Sequence, residues 1–103
     1  MHTLMTATAL ATSKIVVRIP RRVDALIVPA MSQDLDGKIQ EGTKIILDFS
    51  QTSFIEIEAT DVFLECLVRA TQRNAKIALR GVRPSVRTSL ERGGVLEYFR
   101  RIR

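Results

Sequence analysis

The chain contains no tryptophan, one tyrosine, one cysteine and one histidine. A lone cysteine, Cys66, cannot close an intramolecular disulfide, and with His2 as the single imidazole there is no Cys/His set of the zinc-binding kind. No metal is expected. A Cys–His catalytic pair would need His2 to reach Cys66 inside an apolar helical pattern, where a small core residue is the simpler reading. Long hydrophobic runs are also missing: none approaches the roughly 20 residues of a membrane-spanning helix. The first 14 residues have neither a basic start nor a continuous apolar centre, so no span and no secretion signal is expected, and the expected location is cytoplasmic. GxGxxG, P-loop and GxSxG patterns are absent, which removes the recognised phosphate cradles and the nucleophile elbow; no cofactor and no catalytic residue are expected.

What is present is an ordinary globular composition. With 103 residues, 46% of them hydrophobic and 26% charged, the chain has room for one core, so a single domain over residues 1–103 is expected. The net charge of +5 is unevenly spread: residues 1–47 carry +2, residues 48–65 carry −5 and residues 66–103 carry +8. A nucleic-acid or anionic-surface footprint would rest on Arg80, Arg83, Arg87, Arg92, Arg100, Arg101 and Arg103, with only Tyr98 and Phe99 nearby to stack on bases. Solvated helical faces explain this excess better, so nucleic acid is not expected as a partner.

Residues 14–19 are a β-branched run stopped by Pro20, which removes a backbone donor and marks a strand end. Residues 3–10 are a weaker candidate for an edge strand paired with it. Val28, Met31, Leu35 and Ile39 recur at helical steps, with Pro29 in the first turn and Gly42 as a stop, predicting a helix over residues 27–40. Residues 44–49 are too continuously apolar for a half-exposed strand and suit the middle of the sheet. A second helix has Ala59, Phe63, Leu67 and Ala70 on one face with Val62 and Cys66 beside it, and Asp61, Glu65, Arg69 and Arg73 toward water; Glu65 and Arg69 are placed for an i, i+4 ion pair. A strand over residues 76–79, a helix from Pro84 through Val86 and Leu90 to Gly93 and Gly94, and a docked segment of Val95, Leu96, Tyr98 and Phe99 follow. The expected fold is α/β: a small mixed β-sheet with helices packed on it, in the order β-β-α-β-α-β-α and then a short C-terminal segment.

Glu56 and Glu58 lie two residues apart at a strand-to-helix junction. Paired carboxylates can share acid and base roles, but acidic residues also favour helix N-termini, and no histidine or arginine lies near them in sequence to support catalysis.

Residues 45–61, Ile-Ile-Leu-Asp-Phe-Ser-Gln-Thr-Ser-Phe-Ile-Glu-Ile-Glu-Ala-Thr-Asp, resemble the STAS domain, the family of anti-sigma-factor antagonists and their relatives. Val23, Asp24 and Ala25 resemble the family's strand-to-helix Leu-Asp-Ala, Leu47 and Asp48 its central strand end, and Pro84, Val86, Leu90 and Gly94 its late helix. In phosphorylated antagonists the loop after the central strand reads Asp-Ser-Ser-Gly, and a kinase modifies the second serine. Those positions here are Glu56, Ile57, Glu58 and Ala59, so the serine is replaced by Glu58. The side chain has no hydroxyl to phosphorylate, yet it puts a fixed negative charge where the phosphate would sit. The imitation is partial, about −1 and two acceptor oxygens against about −1.5 to −2 and three. Ser53 and Thr60 flank the position and carry hydroxyls.

The resemblance implies a non-enzymatic regulatory interaction domain, a monomer or weak dimer, whose partner is a protein such as an anti-sigma factor or kinase. The expected docking residues are Glu56, Glu58, Asp61 and Glu65, supported by Asp24 and Asp48. The alternative implied by the same resemblance is an accessory or scaffold subunit of a stress-signalling complex or a lipid-transport ATPase.

Overall fold

The computed structural model describes residues 13–102. The β-branched run before Pro20 forms strand β1 (Ser13–Arg18), followed by the short strand β2 (Arg22–Val23), helix α1 (Val28–Lys38), strand β3 (Thr43–Asp48) and a second short strand, β4 (Phe54–Ile55). A 3-10 turn (Ile57–Thr60) leads into helix α2 (Asp61–Gln72). Strand β5 (Lys76–Arg80) and helices α3 (Pro84–Arg92) and α4 (Val95–Ile102) complete the described chain. Pro29 and Pro84 each sit in the first turn of their helix, where a missing N–H breaks no bond.

The main sheet has the order β1-β3-β5, and both pairings are parallel. This follows from connectivity, since each link between these strands crosses over through a helix. The expected α/β architecture and the central position of β3 are both seen, but β3 is half-exposed after all: the described helices pack on one face, and on the other Lys44 is exposed and Ile46 half-buried. The hairpin partner expected at residues 3–10, which would make the sheet mixed, lies outside the described residues. Two features differ from the sequence reading. Strands β2 and β4 pair in parallel as a separate ribbon, Arg22 beside Phe54 and Val23 beside Ile55, and two-residue strands carry no periodicity to read. The C-terminal segment is a helix of eight residues with Val95 and Leu96 buried.

All four helices pack on one face of the sheet. Val17, Ile45 and Leu47 from the strands share one core with Met31 and Leu35 of α1, Phe63 and Leu67 of α2, Val86 and Leu90 of α3, and Val95 of α4. Phe49 meets Phe63 edge-to-face, with ring centroids 5.3 Å apart at 64°, an arrangement that suits the ring quadrupoles. Strand alternation turns Lys14, Val16 and Arg18, and their register partners, to the opposite face.

The expected pair between Glu65 and Arg69 does not form. Arg69 Nε lies 3.5 Å from Asp36 Oδ1 on α1, and Arg73 Nη2 lies 2.9 Å from the same oxygen. Arg73 also donates to the carbonyls of Asp36 (3.1 Å) and Ile39 (3.0 Å), closing the C-terminus of α1, whose carbonyl end attracts cations. Docking of α1 on α2 brings this carboxylate and the orphan carbonyls to the two arginines together, which a local i, i+4 partner cannot match. Glu65 is left without an ion pair among the described residues.

Candidate functional site

Two loops meet at the end of the β2/β4 ribbon. The Glu56 N–H donates to Val23 O (2.9 Å) and the Ala25 N–H donates to Glu56 Oε1 (3.2 Å). Asp24 Oδ1 accepts the Leu26 N–H (3.1 Å), turning the chain into α1, and Asp24 Oδ2 lies 3.9 Å from Arg22 Nε. Arg22 in turn covers the Phe54 ring at 4.5 Å. The residues next along these two joined loops, Leu26 and Ile57, are 89% and 39% exposed. Apolar side chains so exposed beside a polar rim mark a surface suited to a protein partner.

The expected acidic residues divide into three kinds. Glu58, Asp61 and Glu65 are exposed, and none makes an ion pair or a side-chain hydrogen bond among the described residues. They recur at steps of three and four along the 3-10 turn and α2, and so form one stripe. Glu56 and Asp24 are half-buried and tie the two loops together. Asp48 is different again. It is buried at the end of β3, where hydrogen bonds from the Ser50 hydroxyl and the Ser50 N–H (2.9 Å), and then the Arg80 guanidinium (3.0 Å), hold its carboxyl down at about 2. Its role is to fix the loop leaving β3, and its charge is matched where it stands.

Glu58, at the position of the replaced serine, does not itself open α2. The α-helix proper begins at Asp61, with Thr60 as its N-cap, and Glu58 sits one turn earlier. Asp61 is the acidic residue of the first α-helical turn. The reason is the extended backbone of Glu56 (φ −66°, ψ 136°), from which the chain first winds as a 3-10 turn.

Thr60 anchors that turn. Its side chain is 1% exposed and its Oγ1 donates to Ile57 O (2.6 Å). Gly93, between α3 and α4, comes so close that a Cβ there would overlap the Thr60 hydroxyl. The Thr60 hydroxyl is thus enclosed, whereas Ser53 is exposed, with its Oγ donating to Arg21 O at 3.4 Å. Cys66 is buried, and desolvation pushes its thiol up to about 12, so it stays protonated at neutral pH, as befits packing rather than chemistry. Leu26 and Ile57 were not singled out in the sequence; only their place beside two hydrogen-bonded loops reveals them.

The parallel β-α order, the helices on one sheet face and the acidic turn before α2 match the arrangement implied above. The STAS domain family model matches residues 6–103. The chain belongs to the STAS domain family. At that level it is a regulatory or interaction module. Among solved structures the STAS chain is similar to a sulfate transporter family protein from Wolinella succinogenes, at 19% identity and a TM-score of 0.64, with 87% of this chain and 72% of that one covered. That likeness supports the shared fold. No curated protein sequence matches the chain. No described helix of this STAS domain is long and apolar enough to cross a membrane.

Proposed function

We propose that this STAS domain is a non-enzymatic regulatory module that docks a partner protein through the 3-10 turn and the start of α2, with Glu58 as a fixed charge where related antagonists carry a switchable serine. The observation that carries this reading is the exposed apolar pair Leu26 and Ile57 beside Glu58, Asp61 and Glu65, three carboxylates without ion pairs among the described residues. Apolar anchors supply affinity, and the acidic stripe selects a basic partner surface and speeds encounter. Glu56 and Asp24 hold the two loops in place, and Asp48 holds the loop leaving β3. The partner class is an anti-sigma factor or kinase of the partner-switching kind.

The test is capture of the partner from cells, followed by titration calorimetry with wild type, Leu26→Asp, Glu58→Gln and Glu58→Ser. Leu26→Asp is expected to weaken binding most, and both Glu58 substitutions to weaken it measurably. Equal affinity for all four proteins would remove the turn as the docking surface. A second reading, an accessory subunit of a larger assembly, is favoured by the likeness to a sulfate transporter family protein. Capture of a transporter or ATPase subunit in place of a kinase would select it.

A further inference from the structure

Among the described residues, the face of the main sheet turned away from the helices holds two aligned rows. Lys14, Lys44 and Lys76 are register partners across β1, β3 and β5, and Val16, Ile46 and Ala78 are partners two residues further on. The three lysines are exposed, Val16 is 46% exposed, and Ile46 and Ala78 are half-buried. None of the lysines forms an ion pair among the described residues. Strands lie about 4.8 Å apart, so the ammonium row spans about 10 Å, and like charges side by side across strands destabilise the sheet. An anionic surface of the same spacing would relieve that repulsion.

The chain itself carries such a surface. Glu58, Asp61 and Glu65 run along the 3-10 turn and α2 at steps of three and four residues, which places three carboxylates over about 12 Å. Beside them on the same flank, at steps of seven and four, lie Ile57, Leu64 and Val68; Ile57 and Val68 are 39% and 36% exposed. A charged row next to an apolar row therefore occurs twice on the molecule, with opposite sign. We propose that the lysine face of one copy receives the acidic stripe of a second copy, the apolar rows meeting alongside. The contact is head-to-tail, so each pair keeps one free face of each kind and the assembly grows as a chain or closes as a ring. Self-association would cover the acidic stripe. The proposal does not rest on the docking function above, because its assay contains no other partner.

Sedimentation velocity of the full chain at low ionic strength tests it, with circular dichroism to verify that each variant is folded. Wild type is expected to show a mass that rises with concentration and falls to that of a monomer at high salt. The neutralised lysine face (Lys14→Gln, Lys44→Gln and Lys76→Gln together) and the neutralised acidic stripe (Glu58→Gln, Asp61→Asn and Glu65→Gln together) should each weaken association by about tenfold or more. Mixed in equal amounts, the two variants should form a one-to-one dimer and nothing larger, since one intact face of each kind remains. A wild type that stays monomeric at low salt overturns the proposal. So does association unaffected by either variant. Loss in the lysine variant alone also overturns it, because the lysine face would then meet a surface of the second copy other than the acidic stripe.

Discussion

The acidic stripe of α2 and the basic C-terminal third use charge in opposite ways. From Arg69 onward most arginines have partners within the chain: Arg69 and Arg73 share Asp36, Arg80 meets Asp48, Arg100 lies 3.7 Å from Glu91, and Arg101 lies 3.2 Å from Glu97. Arg83 donates to the Ser50 carbonyl at 2.8 Å. Glu58, Asp61 and Glu65 have no such partners among the described residues. A count of charges would name the basic third as the interactive region, since it carries the larger excess. Pairing reverses that ranking. Charge already matched within the chain holds the fold together, while unmatched charge is available to something else.

The two regions are joined by the core beneath them, and the largest expected effects come from breaking that join. Phe63 and Leu67 are each 1% exposed on the buried side of α2, whose other side bears Asp61 and Glu65. Phe63→Ala and Leu67→Ala should each lower stability by about 2 to 5 kcal/mol in urea or thermal unfolding. A loss below about 0.5 kcal/mol for both would mean that the helix is phased differently and that the acidic stripe is not the exposed one.

Next in size is Gly93→Ala. The backbone at Gly93 is ordinary helical (φ −82°, ψ 0°), so alanine adds no conformational strain, and the whole effect is overlap with Thr60. A loss of about 1 to 3 kcal/mol is expected, the range for overpacking a close contact. Because Thr60 closes the 3-10 turn, partner affinity should fall as well, although Gly93 lies outside the turn. Destabilisation with unchanged affinity would show that the turn does not depend on the corner between α3 and α4.

These dependencies mark where the sequence was readable and where it was not. Hydrophobic spacing was enough for α1, α2, α3, β3 and β5, because a helix or strand that buries one side writes its period into five or more residues. The buried faces named from that spacing, including Val62, Cys66 and Ala70, are buried in the fold. The acidic stripe was visible for the same reason. Contacts between segments distant in the chain were not. Asp36 takes Arg69 away from Glu65 across 33 positions, Glu56 reaches Ala25 across 31, and Gly93 presses on Thr60 across another 33. The exposure of Leu26 was hidden too, because an apolar residue just before a helix reads as one more core position.

Asp48 and Arg80 bring acid and base together at the end of the sheet, and pH separates their contribution from that of the exposed stripe. The Asp48 carboxyl is held at about 2 by Ser50 and Arg80, against about 3.9 in an unfolded chain. A depressed carboxylate stabilises the fold above its unfolded value, and that contribution is lost as pH falls from about 4 toward 2. Thermal melts of wild type and Asp48→Asn should therefore converge over that window, with the variant less stable only above it. A gap that persists at pH 2 would mean that shape, and not ionisation, is what Asp48 provides.

The smallest effect on stability is expected within the stripe, and it bears most directly on the contrast between matched and unmatched charge. Asp36 serves two arginines, so Asp36→Ala should cost about 1 kcal/mol, a modest figure because all three side chains are partly solvated. Glu65→Ala removes a carboxylate with no ion pair among the described residues, on a helix where alanine is at least as favourable, and should change stability by less than about 0.5 kcal/mol. Glu58→Ser should cost no more than about 1 kcal/mol, because serine suits the start of a helical segment. Urea titrations of the three variants against wild type check the order. If Glu65→Ala proved as costly as Asp36→Ala, the stripe would be holding the fold together like the arginines. Its charge would then be unavailable to a partner, and the basic third would regain the stronger claim.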